Sequence, residues 1–220
     1  MNIARELERR LERLVDGLSA AVFRGKMHPV DLANRLLRAV DLSVVDGPLG
    51  PTIDNTFAVR VHPGELDEAI DTAALDHELS AAVSGLASEK GWRLGGAVRV
   101  TVTAHAGVGM GSIKVSGSNT PGGLDPWAVL IDTAGGTVLE VCDNRNLVGR
   151  AEDCDVVVDD SQVSRHHAVL TRAGGRVAIR DLGSSNGTWV SGRRARATAM
   201  DVAPGDEITL GPASFSFRLV

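Results

Sequence analysis

Beyond the run SGSNTPGG, residues 116–123, the chain contains no apolar periodicity long enough to make a helix. It carries short apolar runs instead, WAVLI, TVLEV, DVVVD, HAVLT, RVAIRDL and EITLG, with turn residues between them. Turns recurring about every eight to twelve positions, with runs too short to bury a helix face, restrict this half of the chain to a β-sandwich or a closely related all-β architecture.

The half before that run is patterned differently. Leu7, Leu11, Leu14, Leu18 and Val22 recur at three- and four-residue spacing with Arg5, Glu8, Arg9, Glu12 and Arg13 between them, which predicts an amphipathic helix ending near Gly25. Pro29 suits the first turn of a second helix, with Val30, Ala33, Leu36, Leu37 and Val40 inward, stopped by the cluster Gly47, Pro48, Gly50, Pro51. FAVRV alternates as a strand, residues 66–89 return to helical spacing, and VRVTVTA and SIKVSG read as two more strands. The expectation is a multidomain chain: an N-terminal α+β domain over residues 1–118, a linker at 119–126 that begins within the Gly-, Ser-, Asn- and Pro-rich run 116–123, and an all-β sandwich over 127–220.

Composition narrows the function classes. With 43% hydrophobic residues in 220, the chain can bury a sizeable core, and a net charge of −5 argues against a general nucleic-acid or membrane binder while leaving a local basic pocket open. Cys142 and Cys154 are the only cysteines and suit a reducing compartment. No stretch reaches the ~18 apolar residues of a membrane span, and the charged start MNIARELERRLERL does not read as a secretory leader. A cytoplasmic protein is expected.

The segment VSRHHAVL (163–170) places catalytic residue types side by side. A Ser–His hydrolase needs an exposed nucleophile elbow such as G-x-S-x-G, and Ser164 sits in V-S-R. His166 and His167 are adjacent, so on a strand they face opposite sides and cannot share one metal. Asp159-Asp160 reads as turn chemistry, and the run RRAR (193–196) as a solvated edge able at most to select acidic residues. His62, His77 and His105 lack ligand spacing, and Trp92 reads as a core anchor. Neither a metal nor a cofactor is expected.

Gly149-Arg150, then Ser164 with His167 three residues later, then Asn186-Gly187-Thr188, come in the order and spacing of the forkhead-associated (FHA) family, which the chain resembles over roughly residues 125–220. The resemblance implies binding of phosphothreonine peptides, with Arg150 and Ser164 touching the phosphate, Arg165 and Ser185 assisting, and Asn186 holding the peptide backbone. It also implies that His167 is buried and braces the Ser164 loop. The residue chemistry is compatible: a phosphate of about −1.5 to −2 charges needs a guanidinium, hydroxyls and backbone N–H groups. Gly149 suits a close approach of two chain segments, and Gly187 the positive φ of a turn after Asn186.

The segments VFRGKMHPVDLANRLLRAVD, FAVRV, LASEKGWRLGGAVRVTV and SIKVSG resemble the N-terminal domain of actinobacterial FhaA-type proteins, which join this domain to an FHA module. The short connection here departs from the long linker often found in that group. The resemblance implies a non-enzymatic adaptor in serine/threonine-kinase signalling linked to cell-wall growth and division. One face would bind a phosphothreonine protein or the kinase, and the N-terminal domain a second protein. Two alternatives stand beside it, a constitutive scaffold with a vestigial phosphate pocket and an uncharacterised N-terminal enzyme targeted by the FHA module. Thr120 is a candidate phosphorylation site in the linker.

Overall fold

The computed structural model describes residues 29–66 and 72–220, so the expected helix through Leu7 to Val22 lies outside the described residues. The chain divides into two compact units. One is made of the described residues of Met1–Asp46, Thr52–Ala87 and Leu94–Gly123, and the other of Gly47–Pro51, Ser88–Arg93 and Leu124–Val220.

In chain order the first elements are α1 (Pro29–Leu42), β1 (Val45–Gly47), β2 (Gly50–Ile53), β3 (Thr56–Val61), α2 (Ala73–Lys90), β4 (Arg93–Leu94), β5 (Arg99–Ala104) and β6 (Ile113–Ser118). α1 follows from its stripe: Leu32, Leu36 and Val40 are spaced by four and are all buried. The helix expected from residue 66 begins at Ala73, because Leu66 is extended, its N–H bonded to the Pro63 carbonyl at the end of a 3₁₀ turn. β3 pairs in parallel with β5 and antiparallel with β6, giving the order β5-β3-β6. Parallel neighbours need a crossover, and α2 lies in it. One face of the sheet is apolar, with Phe57, Val59, Val61, Val100 and Val102 buried, while Arg60, Arg99, Thr101 and Lys114 alternate onto the open face.

The segment after β6 is pinned more firmly than its composition suggests. Asn55, almost fully buried, donates from Nδ2 to the Thr120 carbonyl and accepts the Thr120 N–H at Oδ1, both at 2.8 Å. The Gly122 N–H reaches the Gly95 carbonyl at 3.1 Å. A buried carboxamide costs free energy unless both its ends are bonded, so Asn55 holds residue 120 in one place.

The second unit is a β-sandwich built from β7 (Ala128–Asp132), β8 (Val138–Val141), β9 (Arg145–Gly149), β10 (Val156–Val157), β11 (Ala168–Ala173), β12 (Arg176–Asp181), β13 (Thr188–Val190), β14 (Arg193–Ala195), β15 (Met200–Asp201), β16 (Glu207–Leu210) and β17 (Ala213–Leu219). One sheet runs β10-β9-β11-β12-β15 and the other β14-β13-β16-β17-β7-β8. Val148, Ala168, Leu170 and Ile179 of the first meet Leu130, Val190, Ile208, Leu210 and Phe217 of the second in one buried cluster. Trp127 closes its end, edge-on to Phe217, with its Nε1–H donated to the Asp143 carbonyl at 2.8 Å and the Arg172 guanidinium over its ring. The run RRAR begins edge strand β14, where Arg194 lies 5.7 Å from the Trp189 ring centre.

Candidate functional site

Strand direction decides where the motif residues meet. β9 is antiparallel to β11 and β11 to β12, with Ala168 opposite both Val148 and Asp181. The chain after β9, before β11 and after β12 therefore emerges at one end of the sandwich. Those three stretches carry Gly149-Arg150, Ser164 to His167, and Ser185 to Gly187. They border an open cleft of about 880 Å³ whose lining includes Arg150, Ser164, Arg165, Ser185 and Asn186.

The loops are held together by backbone contact first. The Arg150 N–H donates to the Ser164 carbonyl at 3.1 Å and the Ala151 N–H to the Arg165 carbonyl at 3.2 Å. A Cβ on Gly149 would lie 2.1 Å from the Arg165 carbonyl oxygen, a backbone atom, so no side chain fits at this crossing. Gly187 has φ +83°, and a Cβ there would also press on the Trp189 ring at 2.7 Å.

His167 is fully buried and spans two loops. Its Nδ1 accepts the Ser164 N–H at 3.1 Å and its Nε2–H donates to the Gly187 carbonyl at 2.9 Å. Because an N–H can only donate and a carbonyl only accept, the ring is the neutral tautomer protonated at Nε2. His167 lies behind the cleft and does not line it.

Ser164 Oγ accepts the Ser185 N–H at 3.0 Å, which leaves its own hydroxyl proton to donate elsewhere. Asn186 Nδ2 donates to the Gln162 carbonyl at 2.8 Å, joining the second and third loops across the cleft. Arg150 and Arg165 are exposed, and among the described residues neither guanidinium has a side-chain hydrogen bond or an ion pair. Two guanidiniums without an ion pair, open to solvent beside a free hydroxyl proton, are groups able to hold an anion.

Asp181 was not singled out by its sequence context and proves to organise the third loop. Its Oδ1 accepts the N–H groups of Gly183 and Ser184, and its Oδ2 accepts the hydroxyls of Ser184 and Thr188 at 2.6 Å each. Ser184 Oγ in turn accepts the Gly187 N–H at 3.0 Å. The available signal was a D-x-x-S-x-x-x-T spacing around the Asn-Gly turn, with an Asp followed by small polar residues, the pattern of an Asx turn. Burial pushes the Asp181 carboxyl up, but the hydrogen bonds from Ser184, Thr188 and the two backbone N–H groups outweigh it and hold the group below the usual aspartate range. A depressed carboxylate stabilises the fold at pH above its unfolded value, and the gain is lost as pH falls through the folded one. Asp181→Asn is therefore expected to flatten the acid limb of stability below about pH 4, read by urea unfolding between neutral pH and pH 3.

Asp160 also makes turn chemistry, accepting the Gln162 N–H at Oδ1 at 2.7 Å. Among the described residues, Asp153, Cys154 and His166 bring three metal-type ligand atoms within 4.8 Å. The protein itself satisfies this set: His166 Nε2 lies 2.9 and 3.0 Å from the two Asp153 oxygens, and the Cys154 thiol, pushed up by burial, donates to the Arg165 carbonyl. The hydrogen bond from His166 holds the Asp153 carboxyl below its usual range, and the pair sets one anion and one ring on the rim of the cleft.

Comparison with known proteins agrees with both halves. The family model of the FhaA N-terminal domain matches residues 5–116, and that of the FHA domain residues 146–211. The transcriptional regulatory protein EmbR of Mycobacterium tuberculosis is 37% identical over 97 residues, which cover 44% of this chain and 25% of EmbR. The glycogen accumulation regulator GarA of Mycolicibacterium smegmatis is 42% identical over 72 residues, 33% of this chain and 42% of GarA. The solved structure of M. tuberculosis EmbR with a low affinity phosphopeptide superposes on 43% of this chain and 25% of its own, with a TM-score of 0.40 and 37% identity. The matched region thus spans about a quarter of EmbR and less than half of GarA. With one model covering half its length and the second lying on the sandwich, the chain belongs to the FhaA N-terminal domain family and carries an FHA domain behind that domain.

Proposed function

We propose that this protein is a non-enzymatic adaptor whose FHA sandwich captures a phosphothreonine segment of a protein acted on by a serine/threonine kinase, while residues 1–118 contact a second protein. The observation that carries the reading is the convergence of unpaired Arg150 and Arg165 with Ser164 on one cleft, in an FHA domain. Arg150 meets the phosphate by charge-assisted hydrogen bonds and Ser164 donates its free hydroxyl proton to it. Arg165 and Ser185 flank the phosphate, and Asn186, with its carbonyl oxygen and second N–H beyond the bond to Gln162, takes the peptide backbone. Gly149, His167 and Gly187 support the loops without touching the ligand.

Further support for a regulatory module comes from the relatives' names, a transcriptional regulator and a regulator of glycogen accumulation. Among the described residues no helix is long and apolar enough to cross a membrane, in keeping with action in the cytoplasm. The reaction that writes the signal belongs to the kinase, and the adaptor's part is to hold a dianion and the strand that bears it.

Titration of the full chain with a phosphothreonine peptide, its unphosphorylated form and its phosphoserine form tests this. Micromolar binding of the phosphothreonine peptide, weaker binding of the phosphoserine form and none of the unphosphorylated form is the expected result, and equal binding of the unphosphorylated peptide refutes it. Burial of the threonine methyl, about 0.8 kcal/mol, corresponds to about a fourfold preference over phosphoserine. Affinity for the dianion is also expected to fall as salt rises from 0.05 to about 0.5 M, because Arg150 and Arg165 are exposed to counterions.

A further inference from the structure

A second cationic groove lies in the first unit, on three of the segments that resemble the FhaA N-terminal domain. Four cations line it: Arg35 and Arg38 from α1, Arg60 from β3 and Lys114 from β6. The groove has a volume of about 480 Å³, and its lining contains no carboxylate. All four side chains are exposed, and none makes an ion pair among the described residues. In a chain of net charge −5 such an uncompensated cluster needs a reason.

The backbone around it supplies one. β6 is an edge of the sheet β5-β3-β6, so among the described residues no strand covers its outer side. An open edge presents unpaired N–H and C=O groups that another extended chain can join. α1 flanks that edge, turning Arg35, Arg38, Ala39 and Leu42 toward the groove at the spacing of one helical stripe. Leu42, at 79% exposed, is among the most exposed large apolar residues, and Ile113 and Val115 of β6 lie half-buried beside it. The helix and the edge strand border the groove together, Arg35 and Arg38 from α1 and Lys114 from β6, with Arg60 of β3 paired behind Lys114.

We propose that this groove docks an extended, carboxylate-rich segment of a partner protein as an added strand on β6, its acidic side chains alternating between the two pairs of cations and its apolar ones meeting Leu42. The inference rests on residues 1–118 being the protein-contacting half. Charge alone would also suit a nucleic acid, but the lining has no aromatic ring on which a base could stack, and the apolar residues favour a peptide.

The test uses the full chain and a fluorescein-labelled synthetic peptide of alternating Glu and Val, seven residues long and capped at both ends, read by anisotropy. Binding is expected, with a loss of at least about tenfold in Arg38→Glu/Lys114→Glu. Arg38→Gln/Lys114→Gln, which adds no new charge, is expected to lose several-fold and covers the case in which the reversal disturbs folding. The same peptide N-methylated at alternate residues keeps its charge and loses its strand hydrogen bonds, so equal binding of it overturns strand addition. Tighter binding of an oligothymidine or of phosphatidylserine vesicles than of the peptide overturns the choice of partner, as does peptide binding that is unchanged in both double variants. Phosphothreonine-peptide affinity is expected to be unaltered in these variants and acidic-peptide affinity unaltered in Arg150→Ala, so failure at one site is distinguishable from failure at the other.

Discussion

Arg150→Ala is expected to abolish measurable phosphothreonine-peptide binding at micromolar concentration while leaving the melting temperature within about a degree of the parent. The guanidinium has no partner in the protein among the described residues, so its removal breaks nothing internal. What it removes is a charge-assisted contact with a dianion, and truncating one side of such a pair costs about 2–4 kcal/mol, roughly thirty- to several-hundred-fold in affinity. Arg150→Lys keeps the charge and loses the planar fork, and is expected to fall between the two. Ser164→Ala is expected to weaken binding similarly and to lower stability slightly, because Ser164 Oγ also accepts the Ser185 N–H. Isothermal titration with thermal melts on the same samples separates the two effects. Undiminished binding by Arg150→Ala would end the proposed reading of the cleft.

His167→Ala is expected to lower both stability and affinity. It leaves the Ser164 N–H and the Gly187 carbonyl without their partner in a fully buried place, and opens a cavity the size of an imidazole. Each unpaired buried group costs about 1–3 kcal/mol, so a loss of about 3 kcal/mol is expected on urea unfolding. Binding weakens because the Ser164 and Asn186 loops lose the side chain that ties them. His167→Gln, which offers an acceptor and a donor on one amide, is expected to recover part of the stability. A melting temperature equal to the parent's together with lost binding would mean instead that the ring touches the ligand.

The contrast between His167 and Asp181 shows where reading residues in order stops. His167 belongs to a motif with a fixed spacing to Ser164, so its bracing role was legible through the family resemblance. Asp181 carries four hydrogen bonds in the third loop, yet lies at the end of an ordinary strand, RVAIRD, and its only local signal is an Asx-turn spacing that does not show how many partners folding brings to it. Residues 119–123 make the same point: nothing in their Gly- and Pro-containing composition points to Asn55, 65 positions before Thr120, whose side chain bonds the Thr120 N–H and carbonyl. The cations of the α1–β6 groove come from three elements and have no common motif, so only pairing and packing assemble them.

The chain's own order of residues determined that an α+β half precedes an all-β half, because helical and strand periodicities are local and survive in any window of a dozen positions. It also supplies the arginines and serines that the proposed phosphate contact needs. Which of them share one cleft was decided by the antiparallel run of β9, β11 and β12, since that register brings residues 150, 164 and 186 to the same end of a sheet. The neutral state of the His167 ring, the hydroxyl proton left free on Ser164 and the open edge of β6 were likewise decided by tertiary structure. Each depends on a partner brought close, or left absent, by folding rather than by proximity along the chain.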